Sequence, residues 1–186
     1  MVEKKISKAS IVEIEDLLIK SGAILFGEFT LASGKTSNYY INIKKATTKP
    51  EVLREIAKAL SENVKDEKIC GIELGSVPLA VAISLETGRP FVIVRKESKT
   101  HGTKDIIVGD LVKGEEVVVV EDVVSSGGSV ITAVNILREK GAVVKKVIAV
   151  VDREEGGKEI IEKEGIEFLP LIKASSLLSR FREVKR

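Results

Sequence analysis

The residues best suited to chemistry lie in one stretch, 117–129, where an apolar run leads into two carboxylates and then into serines and glycines. Gly127 and Gly128 let the backbone approach a ligand closely and adopt conformations that are closed to other residues. Successive backbone N–H groups, the start of a following helix and three serine hydroxyls would converge on one point. Such a point suits a phosphate dianion, so the stretch predicts a phosphate-binding turn between a strand and a helix.

Glu121 and Asp122 stand immediately before that turn and would repel a phosphate if they faced it. We expect them to point instead toward sugar hydroxyls, which donate charge-assisted hydrogen bonds to a carboxylate. A phosphate site beside two carboxylates that bind a diol would suit a ribose 5-phosphate. The stretch has neither the Walker spacing nor the dinucleotide-binding glycine pattern. An ordinary glycine turn before a serine-capped helix is the alternative.

Elements that could position this turn alternate regularly from Ile69 onward. The predicted strands are 69–74, 91–95, 117–120 and 147–151, and the predicted helices are 77–86 and 129–140. Short β-branched runs that alternate with helices predict an α/β fold with a doubly wound, mainly parallel sheet. Ligands bind beyond the carboxyl ends of the strands in such sheets. Residues 96–114 are too polar for a crossover helix, and a loop of that length is usually functional or mobile.

The N-terminal part of the chain has a different pattern. Apolar residues at helical spacing over 11–18 predict a helix, for which Ser10 is the expected N-cap. Residues 26–40 contain strand-forming residues around a turn, and Pro50 can begin a helix that runs to about Val64. We expect one domain over 1–186, with the N-terminal helix and the strand-forming segment within about 1–45 and the α/β core over about 50–172.

Composition excludes several other kinds of function. A net charge of +2 gives no whole-protein field for gripping nucleic acid, so no nucleic-acid partner is expected. Cys70 is the single cysteine and lies in an apolar run, which favours a buried core residue over a nucleophile. One cysteine and one histidine exclude a zinc site built from those ligands. No apolar run is long enough to cross a membrane or to serve as a signal peptide, so we expect a cytoplasmic protein without a membrane partner.

Residues 117–129 resemble the signature of the type I phosphoribosyltransferases, which bind 5-phospho-α-D-ribose 1-diphosphate (PRPP). The resemblance implies that Glu121 and Asp122 hold the ribose hydroxyls and that the serines and glycines cradle the 5-phosphate. Members often have Asp at the first acidic position, and Glu keeps its charge. The residues that the resemblance assigns to PRPP are Arg95, Lys96, Lys99, His101, Glu121, Asp122, Val123, Val124, Ser125, Ser126, Gly127, Gly128 and Ser129.

Residues 95–102 resemble the catalytic loop of the orotate phosphoribosyltransferases within that family. They read Arg-Lys-Glu-Ser-Lys-Thr-His-Gly and contain the only histidine of the chain. The resemblance implies that Lys99 and His101 are catalytic and reach the diphosphate in the active site of the neighbouring subunit. The enzyme would then work as a homodimer. A solvated charged loop is the alternative interpretation.

Two further segments resemble that family's binding residues. Residues 29–42 are similar to its N-terminal hood, whose backbone near Tyr40 and Ile41 contacts the orotate ring. Several members have a lysine at the position of Ala32 that reaches the diphosphate, and Lys35 is our candidate to replace it. A plain hairpin is the alternative.

Residues 152–157 resemble the family segment whose arginine binds the orotate carboxylate, which a guanidinium can meet with two parallel hydrogen bonds. The resemblance assigns Arg153 and Ser125 to orotate and favours an anionic pyrimidine over a neutral purine. An exposed arginine in a strand-end turn is the alternative. Residues 71–80 would be the diphosphate loop, in which Gly75 and Ser76 offer backbone N–H groups.

The resemblance as a whole implies transfer of the 5-phosphoribosyl group from PRPP to N1 of orotate, giving orotidine 5-phosphate and diphosphate in UMP biosynthesis. Mg²⁺ would be the cofactor, bound through the substrate and without a direct protein ligand. We expect no fused decarboxylase within 186 residues. Two alternatives remain. A purine phosphoribosyltransferase would share the turn without requiring the loop pattern or Arg153, and a non-enzymatic regulator would sense PRPP through the same turn.

Overall fold

The computed structural model describes residues 8–30, 34, 36–96 and 105–185. Two strands, β1 (Ile24–Thr30) and β2 (Thr36–Ile41), form a separate antiparallel hairpin, which is the hood. The other strands are β3 (Lys68–Ile72), β4 (Phe91–Val94), β5 (Ile107–Val108), β6 (Glu116–Val124), β7 (Val143–Asp152) and β8 (Glu167–Lys173). In the described part of the chain these six form one sheet in the order β5-β4-β3-β6-β7-β8.

The helices connect and cover these strands. They are α1 (Lys8–Lys20), α2 (Ile43–Ala46), α3 (Pro50–Ser61), α4 (Val77–Thr87), α5 (Gly128–Glu139), α6 (Gly157–Lys163) and α7 (Ala174–Val184). Helices α4, α5 and α6 each connect two strands of the large sheet, and α7 follows the last strand.

Parallel pairing determines where the functional residues can meet. Every neighbouring pair of the large sheet is parallel except β4 with β5. β3 pairs with β4 on one side and with β6 on the other, so the strand order reverses between β3 and β6. Loops that leave such a switch point in opposite directions open a crevice at the carboxyl edge of the sheet.

Two apolar clusters fill the two faces of the sheet. Val118 and Val120 pack with buried residues of α1, α3, α4 and α7 on one face. Val117 and Val119 pack with buried residues of α5 and α6 on the other. All four valines are at most 1% exposed, which is why this strand reads as a continuous apolar run rather than an alternating one.

The doubly wound, mainly parallel sheet predicted from the sequence is confirmed, and each predicted strand and helix is present. β6 is longer than its apolar run, because pairing with β7 continues through Glu121 and Val123. In the region predicted as a polar loop, Ile107–Val108 forms the antiparallel edge strand β5. Two residues of β-branched character are too short a signal to distinguish such a strand from a loop.

The predicted start of the first helix is wrong. α1 already includes Lys8, so Ser10 lies inside the helix and is not its N-cap. Lys8 and Ala9 are good helix formers, and they extend the helix on the N-terminal side of Ser10. No helix in the described ranges is long and apolar enough to span a membrane.

Candidate active site

The predicted substrate-binding residues that the structure describes lie at the carboxyl edge of the sheet, where β3, β4, β6 and β7 end. Arg95 and Lys96 follow β4, and Arg153 follows β7. The last residues of β6 are Glu121, Asp122, Val123 and Val124. The turn from β6 into α5 consists of Ser125, Ser126, Gly127, Gly128 and Ser129. Residues distant in sequence are therefore brought to one crevice.

The turn after β6 has the donors that an anion needs. Gly127 is the residue that precedes α5 and has a φ of 80°, a conformation that favours glycine. The first N–H groups of a helix have no partner within it. The hydroxyls of Ser125, Ser126 and Ser129 likewise have no hydrogen-bond partner among the described residues. Backbone and side-chain donors are thus available together, as the predicted phosphate site requires.

The same turn rests directly on the start of α6. A Cβ atom built on Gly157 would lie 2.5 Å from the carbonyl oxygen of Ser125 and 3.1 Å from the amide nitrogen of Gly127. Any side chain at Gly157 would therefore displace the backbone of the turn. The sequence analysis did not identify this residue, although the consecutive glycines at 156 and 157 were a possible signal.

Glu121 and Asp122 are both only 7% exposed. The N–H of Asp122 donates to Oε1 of Glu121 (2.9 Å), and the N–H of Val123 donates to Oδ1 of Asp122 (2.8 Å). A Cβ atom on Gly75 would overlap the carboxylate of Asp122, so this carboxylate lies against the loop that follows β3. Each carboxylate is thus held by the adjacent backbone, and Asp122 also borders the opposite wall of the crevice.

The burial of this pair has an electrostatic cost. Burial raises the pKa of Glu121 well above its ordinary value, the nearby charge of Asp122 raises it further, and the cation of Lys44 opposes the shift. The site therefore favours a proton or another cation beside the two carboxylates. Within the described ranges, no group of three or more His, Cys, Asp and Glu residues could hold a metal ion.

The loop after β3 differs in part from its predicted role. The hydroxyl of Ser76 accepts from the N–H of Ile72 (2.6 Å) and donates to its carbonyl (2.8 Å). The N–H of Ser76 donates to that same carbonyl at 3.3 Å, so the prediction that it is offered to diphosphate is wrong. The N–H of Gly75 has no partner among the described residues and keeps its predicted availability.

Cys70 is fully buried in β3, as predicted. Burial raises the pKa of its thiol to about 12. The thiolate is the nucleophilic form, so Cys70 is a core residue and not a nucleophile at neutral pH.

The guanidinium of Arg153 is buried and is held by contacts with three other side chains. Arg153 is 5% exposed, so the alternative of an exposed arginine in a strand-end turn is wrong. Its Nε donates to Oε1 of Glu155 (2.8 Å), and its Nη2 donates to Oγ of Ser37 (3.2 Å). Its guanidinium carbon lies 4.7 Å from the centre of the Tyr39 ring. The residues of the hood that meet Arg153 are thus Ser37 and Tyr39, which the sequence analysis did not single out.

The start of the predicted catalytic loop lies at the same edge. The N–H of Arg95 donates to the carbonyl of Ile106 (2.8 Å), and the N–H of Lys96 donates to Oε2 of Glu73 (3.1 Å). These bonds fix where the loop leaves the sheet. Lys99 and His101, like Ala32 and Lys35, lie outside the described residues, and their roles stay predictions.

Known proteins are similar to this chain in sequence. The family model of the phosphoribosyl transferase domain matches residues 42–170. An orotate phosphoribosyltransferase of Methanocaldococcus jannaschii is 53% identical over 166 residues, which are 88% of this chain and 94% of that relative. The chain belongs to the orotate phosphoribosyltransferase family. The resemblance found in the sequence is therefore confirmed.

Solved structures also match this orotate phosphoribosyltransferase fold. Leishmania donovani UMP synthase has a TM-score of 0.85 and 33% identity over 94% of this chain, and the match spans 38% of that longer chain. An orotate phosphoribosyltransferase of Mycobacterium tuberculosis, solved in complex with PRPP, has a TM-score of 0.73 and 31% identity. That match covers 90% of this chain and 98% of the other.

The substitution Glu121→Gln should change how stability depends on pH. The raised pKa of folded Glu121 means that, as pH rises above the ordinary value of 4.5, the unfolded chain loses this proton first. The free energy of unfolding therefore falls until the pH passes the folded pKa. Glutamine is neutral throughout, so the variant should melt above the wild type at about pH 8 and the difference should narrow toward about pH 4.

Differential scanning calorimetry across this range measures the effect. Glu139→Gln, on the exposed part of α5, is the matched control and should follow the wild-type profile. Parallel pH profiles for Glu121→Gln and the wild type would contradict the prediction.

The substitution Gly157→Ala should weaken the binding of ribose 5-phosphate by about 10- to 100-fold. The added methyl displaces the turn, and a hydrogen bond to a charged group contributes about 1.5–3 kcal/mol. Isothermal titration calorimetry gives the dissociation constant. Gly88→Ala is the control, since Gly88 lies at the end of α4 with open space around it. Equal affinities in the two variants would show that the turn does not depend on Gly157.

Proposed function

We propose that the protein transfers the 5-phosphoribosyl group from PRPP to N1 of orotate, giving orotidine 5-phosphate and diphosphate in UMP biosynthesis. The observation that carries this proposal is the buried guanidinium of Arg153 beside the phosphate turn. The N–H of Arg153 donates to the carbonyl of Val124 (2.8 Å), the residue directly before Ser125. An acceptor site for an anionic base would therefore adjoin the site for the sugar phosphate.

Each half of the donor has candidate partners. Glu121 and Asp122 would accept hydrogen bonds from the ribose hydroxyls, and the turn of Ser125–Ser129 would bind the 5-phosphate through its N–H and hydroxyl groups. The relative from M. tuberculosis was solved with PRPP, which supports the same ligand here.

The leaving group requires positive charge rather than a nucleophile. Displacement at an anomeric carbon passes through an oxocarbenium-like state while negative charge grows on the diphosphate. Arg95 and Lys96 stand at the edge of the crevice, and the resemblance adds Lys99 and His101. Preorganised cations of this kind stabilise the transition state more than the ground state.

We propose Mg²⁺ as the cofactor, held through substrate hydroxyl and diphosphate oxygens. The acidic pair fits this proposal, because burial and the charge of Asp122 raise the pKa of Glu121, and a cation beside the ribose would favour the charged carboxylate. The bound ion would supply additional positive charge for the diphosphate. The chain's own part is to orient the diol and to keep two carboxylates close to it.

Arg153 and Ser125 are the proposed contacts to orotate. A neutral base that excludes water from the remaining N–H groups of Arg153 without accepting from them is costly, so the site disfavours it. This argues against a purine phosphoribosyltransferase. Uracil differs from orotate by the missing carboxylate and should bind far more weakly for the same reason. The cytoplasmic location expected from the sequence stays a prediction.

We also propose a homodimer in which each subunit donates its catalytic loop to the other. Leu74, Val81 and Leu85 are 71%, 36% and 82% exposed. Together with Pro78 they are spaced three or four residues apart, which places them along one side of α4 and the residues just before it. A contiguous apolar surface of this kind is typical of subunit interfaces.

The proposed activity is tested by mixing the protein with Mg²⁺, PRPP and orotate and following the loss of orotate absorbance. Adenine, hypoxanthine and uracil are the control acceptors. We expect turnover with orotate, with kcat/KM at least about a hundredfold above each control, since a base without the carboxylate leaves the remaining N–H donors of Arg153 without an acceptor. Turnover of a purine without turnover of orotate would overturn the proposal.

The substitution Lys99→Ala should lower kcat about a hundredfold and change KM much less. The loss of one well-placed charge at a developing anion costs on the order of 3 kcal/mol in the transition state. Steady-state kinetics measures both constants. Lys163→Ala, at the exposed end of α6, is the matched control and should behave as the wild type. A near-normal kcat for Lys99→Ala would refute the role.

Mixing two impaired variants, assayed at an orotate concentration at which each alone has little activity, tests the donated loop. Lys99→Ala lacks the loop cation, and Arg153→Ala lacks the base site. If the loop crosses to the neighbour, a mixed dimer has one site with both residues intact, so an equal mixture after subunit exchange should recover about a quarter of wild-type activity. If the loop serves its own subunit, mixing recovers nothing.

A further inference from the structure

Arg153 has an unusually complete set of partners on one side of its guanidinium. Glu155 accepts from Nε at 2.8 Å, Ser37 accepts from Nη2 at 3.2 Å, and the ring of Tyr39 lies 4.7 Å from the guanidinium carbon. Two hydrogen bonds in the plane and one ring contact determine both the plane of the group and its rotation within that plane. Nη1 has no partner among the described residues, and Ser37 accepts only one of the two N–H groups of Nη2, so donors remain at Nη1 and Nη2 for a ligand.

The backbone that carries Arg153 is also held. Oδ1 of Asp152 accepts from the N–H of Glu154 (2.8 Å), and Oε2 of Glu154 accepts from the N–H of Ser175 at the start of α7 (3.0 Å). The turn after β7 is thereby fixed at both ends. This turn places the carboxylate of Glu155 beside the guanidinium of Arg153. With the backbone held, the orientation of the guanidinium depends on the contacts of the Arg153 side chain.

Ser37 connects this group to the hood. Its hydroxyl donates to the carbonyl of Tyr39 (2.8 Å) and accepts from the N–H of Tyr39 (3.3 Å). The hydroxyl proton is therefore already committed, and the oxygen can only accept from Arg153. Ser37 and Tyr39 lie two apart on β2, so both side chains reach Arg153 from one face of that strand.

We propose that Glu155, Ser37 and Tyr39 are positioning residues that determine base specificity by holding the Nη1–Nη2 edge of Arg153 toward the acceptor's carboxylate. The inference rests on the proposed function and deepens it. Arginine loses side-chain entropy when a ligand orders it, and a guanidinium that its neighbours have already oriented loses less. The anionic base then meets a prearranged pair of N–H donors, while Glu155 keeps its hydrogen bond to Nε.

The proposal predicts a split between the two substrates. Glu155→Ala should raise the KM for orotate about 10- to 100-fold, because a misplaced donor loses a charge-assisted hydrogen bond. The KM for PRPP should change less than about twofold, because the hydrogen bond and ion pair of the Glu155 side chain go to Arg153 and not to the phosphate turn or the acidic pair. Glu155→Gln should fall between Glu155→Ala and the wild type, since its amide oxygen can still accept from Nε. Ser37→Ala should give a smaller rise of the same kind.

Two comparisons separate positioning from a merely structural role. Glu155→Ala in an Arg153→Ala background should add no further increase in the KM for orotate, since a residue that acts through Arg153 has nothing left to position. Glu159→Ala is the matched control on the exposed side of α6 and should leave both constants unchanged. Thermal melts identify any variant that fails to fold, in which case Glu155→Gln and Ser37→Ala carry the test.

The possible outcomes are distinct. An unchanged KM for orotate in Glu155→Ala, or parallel increases in both KM values, overturns the positioning role. If Arg153→Ala itself leaves the KM for orotate unchanged, the proposed function of the base site fails instead. An increase with Arg153→Ala alone and none with Glu155→Ala refutes only the present inference.

Discussion

Parallel pairing of β3, β6 and β7 is the constraint on which the rest of the molecule depends. The pairing brings three carboxyl ends to one edge, and the reversal of strand order between β3 and β6 opens the crevice there. The strands hold this register because their side chains are buried on both faces, with Val117–Val120 at most 1% exposed. Without those two apolar layers, the strands that place Glu121 and Arg153 at the same edge of the sheet would not be held together.

The site is organised around buried charges that are balanced to different degrees. Arg153 has Glu155 as a close counter-ion, and so its charge is compensated within the protein. Glu121 has Asp122 beside it, and burial together with this like charge raises the pKa of Glu121. A cation or hydroxyl donors would therefore stabilise the carboxylates of Glu121 and Asp122. The guanidinium of Arg153 is already oriented by its neighbours and has N–H donors left for a ligand.

Close approaches between separate elements complete the arrangement. Gly75 leaves room for the carboxylate of Asp122, and Gly157 leaves room for the turn of Ser125 and Gly127. Ser37 joins the hood to the end of β7 across 116 residues of sequence. The end of β6, Arg153 and the hood are thus joined by direct hydrogen bonds.

The strand, the acidic pair, the glycine turn and the following helix were determined by the sequence itself, because each depends on residues close together in the chain. The same holds for Cys70 as a core residue, since its apolar neighbours are adjacent. Tertiary structure alone decided that the N–H of Ser76 donates to the carbonyl of Ile72 and that Ile107–Val108 pairs as an edge strand. It also decided that Ser37 and Tyr39 contact Arg153. Those contacts join distant or weakly patterned segments, and only the packing of the whole chain selects which of many possible partners comes within hydrogen-bond distance.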